Sequence, residues 1–282
     1  MMDSDLVQHQ TPKTVAVVVP THYERLDSDQ QISLRHLEQR LGRHKKYLVM
    51  PESLPFELPG FEIRRFDDRH FRSIKAYDHF MFSREFYRTF LDYQYILIYQ
   101  FDCLVFSDQL LKWCEMGFDY IGAPWFRSKN DPEKGFSRVG NGGLSLRKVR
   151  TFVKVIESKR YIEEPVSYLK DFCLTRPPDL RELPGVKRIL KRLRVLHNVQ
   201  KGIDWYTTHY TLNEDRFWSD RAKLFYPDFK IAPLDVALRF SFEGFPRYCF
   251  EQNNHQLPFG CHAWARWDRA FWEPYLCIDM NS

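Results

Sequence analysis

The order of hydrophobic and polar positions in the first hundred residues alternates between two periods. Runs of apolar residues at 14–19, 46–50 and 61–66 are typical of buried strands. Apolar positions three and four apart predict helices from Ser28 to Leu41 and from Tyr77 to Leu91. Strands that alternate with helices favour a parallel sheet with helices on both faces. We therefore predict an α/β fold with one mostly parallel central sheet.

The next strand is the most informative segment of the chain. Residues 95–104 form an apolar run that reaches a carboxylate, Asp102. Open α/β sheets bind ligands just beyond the carboxyl ends of their strands. A carboxylate there can hold Mg²⁺ or Mn²⁺ against a phosphate, because both cations prefer oxygen ligands and share themselves with the substrate. Asp102 thus indicates an enzyme that acts on a phosphorylated substrate, and we expect a nucleotide-sugar.

Length and composition describe a folded globular protein. A chain of 282 residues fits one large domain, which we place at 14–282 after a flexible tail at 1–13. The aromatic content of 16% suits either a sugar or nucleotide pocket or simply an aromatic core. The net charge of +5 suits an anionic substrate or an anionic membrane surface and requires neither.

The cysteines and the hydrophobic runs bear on the compartment. None of the six cysteines forms a C-x-x-C pair, so neither a zinc site nor a redox motif is indicated. Free thiols in a reducing compartment are the simplest interpretation. No stretch approaches the roughly 20 apolar residues that span a bilayer, and the first residues carry no apolar signal core. We expect a cytoplasmic protein, free or attached peripherally to the inner membrane face.

Residues 181–201 are rich in lysine and arginine, with apolar residues at helical spacing. This pattern predicts a basic amphipathic helix, inserted in the domain, of the kind that lies on anionic lipid. The alternative is a solvated helix whose apolar stripe packs on the domain. Between this segment and the Asp102 strand, the pattern predicts a helix from Ser107 to Gly117, capped by Ser107, and a return to the sheet at 118–125.

Three glycines surround Asn141 in the segment 139–147. Glycines allow a ligand to approach the backbone closely, although the spacing fits neither a dinucleotide fingerprint nor a Walker loop. A tight turn between strands is the alternative interpretation. Further on, Glu214 and Asp215 open a predicted helix, where acids are common, and a carboxylate in a pocket can also act as general base. His262 follows Gly260 and can be structural or an extra Mn²⁺ ligand beside a carboxylate.

Taken in this order, these segments resemble GT-A-type glycosyltransferases. The resemblance is carried by the Pro20-Thr21 strand end, by Gln100-Phe101-Asp102, by residues 120–125 and 140–147, by Glu214-Asp215 and by Gly260-Cys261-His262. More narrowly, the chain is similar to a bacterial branch of glycosyltransferase-like proteins catalogued as a domain of unknown function. The resemblance covers about residues 14–264.

The resemblance implies roles for individual residues. Asp102 would bind a metal, Mn²⁺ or Mg²⁺, that bridges the donor diphosphate, and His262 would complete its coordination. Asp215, with Glu214 beside it, would deprotonate the acceptor hydroxyl. Gln100 stands where the family has the first acid of its Asp-x-Asp motif, so the cation loses one carboxylate ligand, and an amide oxygen takes its place. The residues expected to contact the nucleotide and the donor sugar are Pro20, Thr21, Tyr23, Lys75, Tyr77, Gln100, Asp102, Asn141, Gly142 and Gly143.

The function we expect is transfer of a hexosyl or pentosyl unit from a nucleoside-diphosphate sugar, UDP-sugar favoured, to a hydroxyl of a glycan or lipid-linked acceptor. Inversion, metal assistance and a place in surface polysaccharide biosynthesis are part of this hypothesis. A retaining glycosyltransferase is the nearest alternative. The others are a sugar nucleotidyltransferase and a non-catalytic module that binds carbohydrate or nucleic acid. No nucleic-acid motif is present, so we expect no nucleic-acid partner.

Overall fold

A computed structural model describes residues 12–174 and 201–277. The basic segment 181–201, apart from its last residue, and nearly all of the tail 1–13 lie outside the described residues. Both therefore stay predictions. Within the described residues, no helix is long and apolar enough to cross a membrane.

Short strands and helices alternate along the described chain. The strands are β1 (Lys13–Pro20), β2 (Lys45–Pro51), β3 (Phe61–Phe66), β4 (Tyr93–Tyr99), β5 (Leu104–Val105), β6 (Tyr120–Ile121), β7 (Ala123–Phe126), β8 (Phe136–Gly140), β9 (Leu144–Lys148), β10 (Ser241–Phe242) and β11 (Gly260–Cys261). The α-helices span Ser28–Leu41, Ile74–Phe80, Arg84–Arg88, Leu110–Glu115, Val149–Ile156, Arg160–Glu163, Pro165–Leu174, Gly202–Thr208, Glu214–Asp220, Ala222–Phe225, Leu234–Phe240, Pro246–Gln252 and Arg269–Trp272, and short 3₁₀ turns span Asp68–Phe71, Pro132–Lys134 and Glu273–Tyr275.

Six strands form the central sheet in the order β3-β2-β1-β4-β9-β6. Strands β3, β2, β1 and β4 pair in parallel. Strand β9 runs antiparallel to both β4 and β6, so β6 has the direction of β4. The predicted α/β fold with a mostly parallel central sheet is therefore confirmed.

The central strands bury both faces, as their continuous apolar runs predict. Val18 and Ile98 belong to one core cluster, whereas the alternate positions Val17 and Leu97 belong to a second cluster on the other face. Because successive side chains of a strand point to opposite faces, helices must cover the sheet on both sides. A third cluster lies around β10, β11 and β5, which form a separate small sheet.

Several predicted bounds are confirmed and others are wrong. The helix Ser28–Leu41 and the strand Phe61–Phe66 begin and end as predicted. The helix predicted from Tyr77 to Leu91 is two helices, because Ser83 accepts a hydrogen bond from the Phe86 amide and caps a new one.

Two more boundaries differ from the sequence prediction. Strand β4 ends at Tyr99, so Asp102 lies in the turn beyond the strand, and Leu104 already belongs to the small sheet. The helix predicted from Ser107 begins at Leu110, and Ser107 is not its cap. This helix is preceded by Gln109, which makes no capping hydrogen bond through its side chain.

Candidate active site

A cavity of about 540 Å³ opens where β1 and β4 end. From β1 the chain continues to β2, which lies on one side of this strand pair. From β4 it continues to β6 and β9, which lie on the other side. Such a switch point leaves a crevice at the carboxyl ends of the strands. We call it the strand-end cavity. The sequence-predicted residues that line it are Pro20, Thr21, Tyr23, Tyr77, Gln100 and Asp102.

Lys75 and Tyr77 come from one short helix but are placed differently. Lys75 is exposed and does not line the strand-end cavity. Tyr77 lines the cavity, and its hydroxyl is shielded from solvent. Burial and, to a smaller extent, the charge of Glu214 raise the pKa of Tyr77, against the opposing effects of Arg147 and of the nearby Gln100 side chain. Its phenol therefore stays protonated and can donate a hydrogen bond.

His262 stands between two carboxylates. Its Nε2 atom lies 3.4 Å from Oδ1 of Asp102, and its Nδ1 atom lies 3.1 Å from Oε1 of Glu243. The amide nitrogen of Asn141 lies 3.1 Å from the same Nδ1. When Nδ1 carries a proton it donates to Glu243, and when it does not it accepts from Asn141. Both arrangements orient the ring so that Nε2 faces Asp102.

The electrostatics of these residues favour the charged forms. Burial lowers the pKa of His262, but hydrogen bonds and charges from Asp102 and Glu243 outweigh it and raise the pKa to about 10. Burial raises the pKa of Asp102, but the hydrogen bond and charge of His262, helped by the charge of Arg266, hold it below its ordinary value. Asp102 is therefore ionised at neutral pH.

Asp102 and His262 fit a divalent cation as a partial set of ligands. A carboxylate oxygen and an imidazole nitrogen that face each other match the ligands Mn²⁺ accepts. Binding of the cation would displace the proton that His262 otherwise carries, because only a neutral imidazole ligates a metal. Within the described ranges, no group of three or more His, Cys, Asp or Glu side chains could hold a metal. Two protein ligands leave positions for phosphate oxygens and water, as is usual for Mg²⁺ bound together with its substrate.

The glycine segment connects β8 and β9, so it is indeed a turn between strands, and it also contacts His262. Asn141 has a φ of 101° and is buried. Its Oδ1 atom accepts hydrogen bonds from the amides of Gly143 (2.7 Å) and Leu144 (3.0 Å). These bonds hold a backbone conformation that residues other than glycine rarely adopt. Asn141 is therefore a positioning residue for the loop and for His262.

The two glycines give room to two different side chains. An added Cβ on Gly143 would lie 2.2 Å from the imidazole Nε2 of His262, and one on Gly142 would lie 2.9 Å from Oε1 of Glu214. Neither glycine has a positive φ. Close packing, rather than backbone conformation, therefore requires glycine at both positions.

The acids Glu214 and Asp215 open the helix Glu214–Asp220, as predicted. Glu214 is buried and paired with the fully buried Arg147 of β9, with 2.7 Å between Nη2 and Oε1. Arg147 also donates to the hydroxyl of Tyr87 at 2.8 Å. The carboxylate of Glu214 is thus held by an ion pair. The amide of Glu214 donates to Asp78, which helps to fix the start of this helix.

Asp215 lines a second cavity, of about 550 Å³, with Trp125, Phe126, Glu243, Phe245 and Trp267. We call it the aromatic cavity. Burial, together with the negative charges of Glu214 and Glu243, raises the pKa of Asp215 to about 7. A carboxylate with that pKa is suited to act as a base near neutral pH.

No sequence pattern points to three residues that the fold brings to the site. Glu243 follows the two-residue strand β10, and Arg266 lies in a turn beyond β11. Arg72 lies in a turn before a short helix and lines the strand-end cavity. Segments this short have no periodicity to detect. Glu243 and Arg266 are distinguished only by their closeness to His262 and Asp102, and Arg72 only by the cavity that it lines.

Several solved structures are similar to this chain. The glycosyltransferase GlyE of Streptococcus pneumoniae TIGR4 shares 15% sequence identity, over 95% of this chain and 61% of GlyE, with a TM-score of 0.42. The chain thus spans less than two thirds of the length of GlyE. An active-site mutant of the galactosyltransferase LgtC shares 12% identity over 94% and 98% of the chains, with a TM-score of 0.46. The bifunctional glycosyltransferase WbbM shares 13% identity over 89% and 45%, with a TM-score of 0.40.

No curated protein matches the chain. The profile of a family described as "Protein of unknown function (DUF5672)" matches residues 60–262. That range contains Asp102, the glycine segment, Glu214, Asp215 and His262, and therefore most of the candidate site. The resemblance to a family of unknown function is confirmed, and the chain belongs to the DUF5672 family.

Proposed function

We propose that this protein is a glycosyltransferase that moves a sugar from a nucleoside-diphosphate sugar, UDP-sugar favoured, to a hydroxyl of a glycan or lipid-linked acceptor. One observation carries the proposal. Asp102 lines the strand-end cavity, Glu243 lines the aromatic cavity, and His262 contacts both carboxylates. Two cavities that are joined by Asp102, His262 and Glu243 suit a reaction between two substrates.

The strand-end cavity would take the donor. Tyr23 and Pro20 offer surfaces to a base and ribose, and the cation of Arg72 suits a diphosphate. Asp102 and His262 would hold a divalent cation there, which neutralises charge on the diphosphate. Tyr77 offers a protonated hydroxyl in the same cavity. Lys75, which does not line it, stays a prediction as a donor contact.

The aromatic cavity would take the acceptor, with Asp215 as the base. As the acceptor oxygen attacks the anomeric carbon, the bond from that carbon to the diphosphate oxygen breaks, and the nucleoside diphosphate leaves with the electron pair. Asp215 receives the proton of the hydroxyl. Such a proton transfer contributes typically about 10²–10⁴-fold. Attack opposite the leaving group inverts the anomeric centre, and a retaining enzyme would need no base.

The test combines donor turnover with product analysis. The full chain is incubated with UDP-, GDP- and dTDP-sugars, with and without Mn²⁺, and release of free nucleoside diphosphate is measured. We expect release from one donor class and a loss of at least about 100-fold in Asp102→Ala. Asp228→Ala, an exposed aspartate outside both cavities, is the matched control.

Other outcomes would overturn the proposal or its details. Release of pyrophosphate from a nucleoside triphosphate and a sugar phosphate would identify a nucleotidyltransferase instead. If no nucleoside diphosphate is released and none binds, the result favours a non-catalytic module that binds carbohydrate or nucleic acid. A product with the anomeric configuration of the donor would replace inversion by retention. A role in surface polysaccharide synthesis at the inner membrane face would require a lipid-linked acceptor in the same assay.

A further inference from the structure

We propose that the aromatic cavity binds an acceptor sugar that carries an anionic group, a carboxylate or a phosphate, and that Lys129 and Arg266 recognise that group. The inference rests on the proposed function, since it names the substrate class of the acceptor cavity. It follows from the distribution of charge and aromatic surface among the residues that line this cavity.

Four cationic side chains line the aromatic cavity, and two of them are already paired. Arg138 lies 2.6 Å from Oδ1 of Asp220, and Arg216 lies 3.4 Å from Oδ2 of the same carboxylate. Within the described part of the chain, no carboxylate forms an ion pair with Lys129 or Arg266. Among the described residues, the cavity therefore holds two cations that form no ion pair with a carboxylate.

The two acids of the cavity do not neutralise them. Glu243 is held by His262 at 3.1 Å. The carboxylate of Asp215 makes no ion pair among the described residues, and its environment disfavours its charged form. Lys129 and Arg266 are both exposed, and a ligand with a negative charge of its own is the electrostatic complement of a cavity lined by two such cations.

The aromatic side chains point to a sugar ring as the carrier of that charge. Trp125, Phe126, Phe245 and Trp267 are only partly buried, so ring surface remains open in the cavity. Apolar ring faces suit the C–H faces of a sugar, while the polar groups between them fix its orientation. A volume of about 550 Å³ lies in the range of a small-molecule site.

Two contacts show that this surface is built into the fold. The guanidinium of Arg266 lies 5.5 Å from the ring centre of Trp267, a stacking contact that orients the charge. On the paired strands β7 and β8, a Cβ on Gly140 would lie 2.3 Å from the indole of Trp125. The backbone of β8 thus supports the Trp125 ring directly. Arg266 also influences the charge of Asp102, so Lys129 is the cleaner test of recognition.

Direct binding tests the inference without requiring turnover. The intrinsic tryptophan fluorescence of the full chain is titrated with methyl glucoside, methyl glucuronide and methyl glucoside 6-phosphate. We expect the anionic sugars to bind about two- to fivefold more tightly than the neutral one, which is the usual effect of a charge pair at an exposed site. The glucuronide and phosphate arms distinguish a uronic-acid acceptor from a phosphorylated one.

Charge-removing variants identify the recognising residues. Lys129→Gln should lose most of the preference for the anionic sugar and leave the neutral sugar unaffected. Arg266→Gln should lose the preference too, but it also removes the stacking contact with Trp267 and can therefore weaken binding of every sugar. Lys134→Gln is the matched control, because Lys134 belongs to the same loop, pairs with Asp131 and does not line the cavity. Equal binding of all three sugars, binding of none, or an unchanged preference in both variants would overturn the inference.

The failure of this inference and the failure of the proposed function are distinguishable. If nucleoside diphosphate is released from a donor but anionic and neutral acceptors bind alike, the proposed transferase function is supported and the anionic acceptor is ruled out. If anionic sugars bind selectively but no donor is turned over, the cavity binds anionic sugars and the proposed transferase function is wrong. When a transferred product is available, the same acceptors should differ chiefly in KM, because the charge is bound equally before and during the reaction.

Discussion

Gly143 and His262 are in such close contact that no side chain fits between them. A Cβ on residue 143 would lie 2.2 Å from both Cδ2 and Nε2 of the imidazole. Since Nε2 is the atom that faces Asp102, any side chain at 143 must move the ring away from the proposed donor. The small residue in this loop is therefore required by the position of the His262 ring.

The first prediction concerns Gly143→Ala. The variant should fold, because the imidazole is a side chain that can turn away, but its affinity for a nucleoside diphosphate with Mn²⁺ should fall by about 10–100-fold, the usual effect of disturbing a ligand's orientation. Isothermal titration with the diphosphate measures the affinity, and the melting temperature checks the fold. An unchanged affinity in the folded variant would show that His262 does not contribute to donor binding.

The second prediction concerns Glu243, which sequence analysis missed. Glu243→Gln removes the charge that holds Nδ1 of His262, so the ring should lose its fixed orientation and diphosphate affinity with Mn²⁺ should fall by about tenfold or more. Glu251→Gln, an exposed glutamate outside both cavities, is the control. If the two variants bind alike, Glu243 is not a positioning residue.

The third prediction separates the adjacent acids. Because Glu214 is buried against Arg147, Arg147→Met should leave an unpaired buried charge and cost about 3–5 kcal/mol of the free energy of unfolding. Glu214→Gln should also lower stability. Asp215→Asn should instead keep the fold and lower turnover by about 10²–10⁴-fold. Urea unfolding and donor turnover, measured on all three, give the comparison. A stable, inactive Glu214→Gln beside an active Asp215→Asn would reverse the roles.

Sequence reasoning succeeded where one local pattern decides the structure. The apolar runs of β1 and β4 predicted the parallel sheet, and the end of the second run pointed to Asp102. Pro20 and Thr21 came from the family resemblance, and they line the same cavity as Asp102. It failed where distant residues decide. Nothing local shows that Glu214 meets Arg147, 67 residues away. The same holds for Glu243 and His262, since a two-residue strand has no periodicity that would place the first beside the second.

The last prediction is a pH dependence set by Asp215. Burial and the charges of Glu214 and Glu243 raise its pKa from 3.8 to about 7, against a smaller opposing effect of the Arg216 amide and Arg147. As a base it must be deprotonated, so turnover should rise with pH through about 7. This limb of the pH profile should be absent from the residual activity of Asp215→Asn.

Stability should show the opposite trend, because the folded state holds a proton that the unfolded state releases. The stabilising contribution of protonated Asp215 is complete below pH 3.8 and is lost as the pH rises through about 7. From pH 5 to 8, wild type should therefore lose on the order of 1–3 kcal/mol relative to Asp215→Asn in urea unfolding. Asp228→Asn should follow wild type. Parallel stability curves for wild type and Asp215→Asn would mean that Asp215 is solvated like a surface carboxylate, and it would then have no tuned pKa with which to act as the base.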